Sequence, residues 1–331
     1  RRCRLPVLSA SWWQAMPPIS GFSPRGTLSS ASRYGALQRA FNDRLREWNW
    51  QRKAGTLYQI WQPPGVVFCR LRKDHHEFGR YVPPWSDWGF PAPPSPSARG
   101  SAGQIELGTA PALPPVRLVL GALAGRWAIW QARKRPNERW VVADGDDAHM
   151  FHAFFRAMMS FGLDAEDPDR SFPNLRLLYI NERLVAKFFA PASLHSVHVH
   201  LPWPQRLTRP ARQALITRKF ISDISEALEE QGELHIVTDH EQVAQEACAL
   251  LIRSRLFASC LAFPFHESSI PASYPSGDLL RTDIVESSQG GAQSPLFYMR
   301  WEKRSPQLPN FRFNQGKGYA DMVQGLLEPT S

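Results

Sequence analysis

Two glycines four residues apart, Gly121 and Gly125, follow the apolar run Val116 to Leu120 and precede a helical pattern. Glycine at a strand-to-helix turn lets backbone come close to a ligand at the helix N-terminus, although two glycines alone are a weak signal. Asp144 closes the next apolar run, from Trp140, where an acid commonly caps the following helix. Asn181 and Glu182 close the run from Leu175. Pro202-Trp203-Pro204 follows the run Ser196 to His200, and two prolines fix φ at two positions of a stiff turn. His195, His198 and His200 lie on or beside that run, with His198 and His200 on one face, a spacing suited to metal binding. Asp74-His75-His76-Glu77 invites the same thought. No third ligand is in sight beyond His195, so no metal is expected and the histidines are read as exposed strand side chains. Neither a G-x-S-x-G turn nor a P-loop occurs.

Elements must hold these residues in place. Short apolar runs recur at Val116 to Leu120, Trp140 to Ala143, Leu175 to Ile180, Val197 to His200, Leu234 to Val237, Ala258 to Phe263 and Leu296 to Trp301. Helical patterns lie between them at Arg126 to Arg135, Ala148 to Phe161, Pro210 to Glu230 and Glu241 to Arg255. Strands alternating with helices require crossover connections, so the expected architecture is α/β, with a mostly parallel sheet covered on both faces. Seven strands are expected, the last two close together after the final helix.

Charge divides the chain. Residues 1 to 105 hold 15 Lys and Arg against 5 Asp and Glu, whereas residues 106 to 331 hold 24 against 25. The whole positive excess therefore lies in the N-terminal third, where it attracts phosphate backbones or acidic surfaces. Seven of the 12 tryptophans lie there too, interleaved with arginine, a pairing that stacks on bases or anchors in protein pockets. Packing back on the domain is the alternative reading for each of them. Leu37, Phe41, Leu45 and Trp48 mark one helix, about 32 to 53. A Pro-rich stretch from Pro63 to Pro96 and a Ser/Ala/Gly run form a linker ending near Gly103. Such a stretch is rarely ordered alone, which calls for a partner around it.

No acidic residue precedes Asp43, while six arginines and many serines do, the composition of an organellar transit segment. Mitochondrial residence, in the organellar matrix, is expected. The four cysteines show no C-x-x-C spacing, so neither a zinc ribbon nor a disulfide framework is expected. No apolar run approaches the ~18 residues of a membrane span. The expected division is an extension over 1–105, a domain over 106–304 and a tail over 305–331.

From about Pro115 to Lys303 the chain resembles the tRNA (guanine-N7) methyltransferase family. That family reads E-x-G-x-G-x-G, a helix ending near Asn-Pro, and a strand closing in an acid; this chain has Gly121, Gly125, Pro136-Asn137 and Asp144 at matching spacing. Leu201-Pro202-Trp203-Pro204-Gln205-Arg206 is similar to the family's D-P-W-P-K-x-R-H turn. Thr238-Asp239 ends a strand as Thr-Asp does there, and Arg281-Thr282-Asp283 resembles its T-x-Y-E segment. The resemblance implies a methyltransferase-type Rossmann fold, a seven-stranded sheet with an antiparallel last strand. It also implies S-adenosylmethionine as cofactor, with Asp144 at the ribose hydroxyls and Asn181 or Glu182 near the adenine. Trp203, Arg206, Arg209, Arg212, Thr238, Asp239 and Thr282 would then face RNA.

The departures fall where the chemistry should be. Val119 stands for the family's first Glu, Leu123 for its middle glycine, Leu201 for its catalytic Asp, Gln205 for its Lys, and Leu207-Thr208 for Arg-His. Val285 replaces its second Glu, with Glu286 adjacent. A leucine can neither accept a proton nor hydrogen-bond the guanine edge, and a positioned acid–base group is worth roughly 10² to 10⁴ in rate. The expectation is therefore a pseudoenzyme with no catalytic residue and no cofactor, bound to rRNA or tRNA and to neighbouring proteins of a mitochondrial ribosome or its assembly intermediate. The alternatives are an active methyltransferase using S-adenosylmethionine and a non-catalytic partner subunit of one.

Overall fold

A computed structural model describes residues 30–53, 58–61, 65–69, 114–123, 125–163, 172–202, 214–261, 274, 277–287 and 295–304. Around its sheet the chain order is α1 (Ser30–Lys53), β1 (Tyr58–Trp61), β2 (Val66–Cys69), β3 (Val116–Leu120), α2 (Arg126–Lys134), β4 (Arg139–Asp144), α3 (Asp147–Phe161) and β5 (Leu175–Tyr179). A 3-10 helix (Glu182–Phe188) follows, then β6 (Leu194–His200), α4 (Arg218–Ala227), β7 (Leu228–Thr238), α5 (Glu241–Ser254), β8 (Phe257–Ser259), α6 (Gly277–Ser287) and β9 (Phe297–Lys303).

The strands form one sheet in the order β1-β2-β5-β4-β3-β6-β7-β9-β8. Strands β3 to β7 run parallel, and β9 lies antiparallel between β7 and β8. Chain order reverses at β3, whose neighbours are β4 and β6. This is the arrangement of a Rossmann-type α/β fold, in which the crevice at the strands' carboxyl ends beside that reversal is the natural ligand position. Central strands are buried on both faces, which explains why Leu118 to Leu120 and Trp140 to Ala143 read as continuous apolar runs.

All seven expected strands are present, with shifted ends. The helix expected over Pro210 to Glu230 is shorter: α4 stops at Ala227, and Leu228–Glu230 already belong to β7. A helix not foreseen, α6, lies between β8 and β9. Two strands were also unforeseen, because the extension contributes more than its helix. β2 pairs parallel with β5 through Val66 to Leu177, Val67 to Leu178 and Phe68 to Tyr179, and β1 turns back on β2. Leu37, Phe41 and Trp48 of α1 are buried against the same cluster as Phe68, Phe151 and Phe154, with Phe41 5.5 Å from both Phe151 and Phe154. Trp48 thus packs back on the domain, whereas Trp50 is 71% exposed. The remaining tryptophans of the extension, the Pro-rich linker apart from residues 65–69, Asp74 to Glu77 and the tail lie outside the described residues or have undescribed side chains. No described helix is long and apolar enough to cross a membrane.

Candidate functional site

At the carboxyl ends of β3, β4 and β5, one buried carboxylate gathers three segments. Asp144, at the end of β4, accepts the Ala122 N–H at 2.8 Å through Oδ2 and the Asp146 N–H at 2.8 Å through Oδ1. His149 Nδ1 lies 3.2 Å from the same Oδ2. The helix cap is a different residue: Asp146 accepts the Ala148 and His149 N–H groups at the start of α3. Asp144 is therefore a cross-brace between the glycine turn and the β4–α3 loop. Glu182 completes the brace by accepting the Gly145 N–H at 2.9 Å. Burial and the neighbouring Asp144 charge push the Glu182 carboxyl up to about 7. Burial works against a charged His149, but its hydrogen bond to Asp144 and the charges of Asp144, Asp146 and Glu182 outweigh it, so its pKa is raised.

The glycine turn serves the fold directly. Gly121 (φ 84°) and Gly125 (φ 78°) occupy the left-handed region, where a side chain strains the backbone. A Cβ on Gly121 would collide with the His200 carbonyl of β6, and one on Gly125 would lie 2.9 Å from the Ala153 Cα of α3. Close packing within the molecule requires both glycines, with or without a ligand. Leu123 sits between them at φ 50°, and its side chain is buried in the apolar cluster beneath α2 and α6. Leu201, at the end of β6, is also left-handed (φ 45°), and its N–H bonds the Val237 carbonyl at 2.8 Å.

The histidines are not exposed strand side chains. His198 and His200 of β6 and His235 of β7 are buried on the sheet face beneath α2, where alternation sends them inward. Tyr274 binds His198 Nδ1 at 2.9 Å and His200 Nε2 at 3.2 Å, so its single hydroxyl proton goes to one ring and it accepts from the other. His235 stacks on His198 at 4.5 Å and contacts Glu233 and Tyr298 through its two nitrogens. Glu233 is held down to about 2 by its hydrogen bond from His235 and by Arg300, despite partial burial. It only accepts, so His235 Nε2 donates to it and Nδ1 receives the Tyr298 hydroxyl. Burial depresses all three histidines, His200 to about 3, which keeps them neutral. His195 lies apart at the β6 start, 2.5 Å from Glu229. Among the described residues, no group of three His, Cys, Asp or Glu is arranged to hold a metal.

A family model described as "Putative methyltransferase" matches residues 115–264. The tRNA (guanine-N(7)-)-methyltransferase of Streptococcus suis strain 05ZYH33 is 26% identical over 137 residues, covering 41% of this chain and 59% of that protein. The same enzyme of Geobacillus sp. strain WCH70 is 22% identical over 156 residues, covering 46% and 66%. Over less than half of its length this chain is similar to tRNA (guanine-N7) methyltransferases. It matches between 59% and 66% of the length of these curated relatives. Among solved structures, a 30S ribosomal A1408 methyltransferase from an uncultured bacterium aligns with a TM-score of 0.35 at 13% identity, covering 57% of this chain and 88% of that one.

Of the residues proposed from the family's pattern, Asp144 and Glu182 converge on the carboxyl ends of β3 to β5 through the hydrogen bonds above, and the Gly121 N–H joins them by donating to the Ala143 carbonyl at 3.1 Å. Gly125 starts α2 one turn away. Asn181 is exposed and caps the 3-10 helix by accepting the Arg183 N–H at 3.2 Å. Thr238 is buried at the end of β7, where its hydroxyl accepts the His240 N–H at 3.2 Å, and Asp239 is half-buried beside it. Thr282 is exposed on α6. Trp203, Arg206, Arg209 and Arg212 lie outside the described residues, as does Gln205. Asp283 was named in the sequence only as part of Arg281-Thr282-Asp283; its role as a buried α6 carboxylate at the N-terminus of α2 was not foreseen. Sequence reasoning also missed His149 and Tyr274, for which no local signal existed.

Proposed function

We propose that this chain is a methyltransferase-fold protein that binds RNA without methylating it, as a docking or scaffold component of a mitochondrial ribosome or its assembly intermediate. Leu201 carries the reading: it stands where the family places its catalytic Asp, has no proton-accepting group, and its backbone is tied to Val237. The fit to S-adenosylmethionine is poor for independent reasons. Leu123 fills the turn in which the family keeps a glycine, Val119 is a buried strand residue in place of an acid, and the Asp144 oxygens already hold two backbone N–H groups and contact His149. The basic N-terminal third and RNA-modifying relatives support RNA as the partner. The proposed location rests on the acid-free arginine and serine composition before Asp43.

Calorimetric titration with S-adenosylmethionine, with methyl transfer to tRNA assayed in parallel, tests this. The natural chain should show neither heat nor transfer. Micromolar binding with guanine-N7 methylation would overturn the proposal in favour of a working tRNA methyltransferase. A Leu123→Gly/Leu201→Asp variant that gained binding would place the loss at those two positions.

A further inference from the structure

Resting on the RNA-binding reading, we propose that the outward face of α1 is a docking surface for single-stranded RNA, with Trp50 stacking on a base and Arg39 and Arg46 meeting phosphates. Two faces of α1 are sharply distinct. Leu37, Phe41 and Trp48 are buried, and the rings of Tyr34 and Phe41 contact Phe151 of α3 at 5.4 and 5.5 Å. Arg39, Arg46 and Trp50 recur seven and four residues apart, which aligns them along the helix on the side opposite that seam. They span about 16 Å at 1.5 Å per residue.

Trp50 is 71% exposed, and among the described residues Leu256, at 37%, is the other large hydrophobic residue so placed. An indole held outward on a helix anchored by its opposite face is a preformed stacking platform that loses little freedom on binding. The charge around it matches a phosphate backbone. The α1 segment carries six Lys and Arg against Asp43 and Glu47. The two acids pair with Arg46 at 2.8 Å and Arg44 at 2.9 Å, which leaves the segment net positive. A protein pocket would take the tryptophan equally well, but the net positive charge of the α1 segment favours the polyanion.

The test uses the full chain, a fluorescent oligo(A) and a tRNA, with Trp50→Ala, Trp50→Phe and Arg39→Glu/Arg46→Glu variants whose folding is checked by circular dichroism. The expected result is roughly 5- to 150-fold weaker oligo(A) binding by Trp50→Ala, with much of it retained by Trp50→Phe. The double charge reversal should also weaken binding and flatten its salt dependence. If the natural chain binds RNA and either Trp50→Ala or the charge reversal binds equally well, the surface is elsewhere and the inference falls, while RNA binding stands. If the natural chain binds neither RNA, both fall together.

Discussion

The Asp283 carboxylate of α6 accepts the backbone N–H of Trp127, in the first turn of α2, at 2.8 Å across 156 residues of chain. Gly125 precedes that helix and has no side chain to cap it. A buried acid from a distant helix supplies the missing acceptor and places negative charge at the positive end of the helix dipole. Asp283→Ala should therefore cost about 1–3 kcal/mol in urea denaturation, because it leaves a buried N–H without this acceptor. Asp283→Asn keeps an acceptor oxygen and should lose less; equal losses would show that charge, not the hydrogen bond, matters.

Acid should destabilise the protein through its buried histidines. Each has a folded pKa depressed below the ordinary 6.5, His200 to about 3. In that range the unfolded chain takes up protons that the folded chain refuses. Their contribution is present above about pH 6.5 and is lost as pH falls toward the folded values. His149 and Glu182, whose pKa values are raised, oppose this in the same window. Urea midpoints should drop between about pH 6.5 and 4, and His200→Gln should make the drop shallower by about one proton, near 1.4 kcal/mol per pH unit. An unchanged slope would mean that His200 is protonated in the fold.

Glu182 acts in the opposite sense. Its folded pKa of about 7 exceeds the ordinary 4.5, so the folded chain holds a proton that the unfolded chain releases. Stability from this group is fully present below about 4.5 and is lost as pH rises through about 7. Glu182→Gln keeps an acceptor for the Gly145 N–H without ionising. It should gain on the order of 2–3 kcal/mol relative to the natural chain between pH 5 and 8, read as a shift in melting temperature. A pH-independent difference would remove ionisation as the cause.

Trp48 tests whether the extension belongs to the same cooperative unit as the sheet. It is about 1% exposed within the cluster that contains Phe68 and Phe154. Trp48→Ala should lower stability by roughly 3–5 kcal/mol while leaving a single transition. A separate early transition would mark α1 and β1–β2 as an independent unit.

The sheet was legible because β3 to β7 are buried on both faces, and such strands announce themselves as apolar runs bounded by turns. The hairpin Tyr58–Trp61 and Val66–Cys69 was not, because each strand is four residues long beside Pro63-Pro64, and its partner β5 lies more than a hundred residues away. Asp144 was legible by position as the acid closing β4. Its hydrogen bond to Ala122 and its contact with His149 depend on how three loops meet, which no spacing along the chain encodes. Histidines at alternate positions of β6 could equally have faced water; Tyr274 and Trp127, brought over them by other elements, decided otherwise.

The pairing of β2 with β5 also orders events during synthesis. Val66 must wait for Leu177 to be made, and at ~5–20 residues per second that delay is on the order of 5–20 seconds. Throughout it, Val66, Val67 and Phe68 are a sticky strand with no template, since the hairpin alone is too short to persist. The nascent chain is therefore most vulnerable to aggregation early, and a chaperone engaging it should be released only once β5 has emerged.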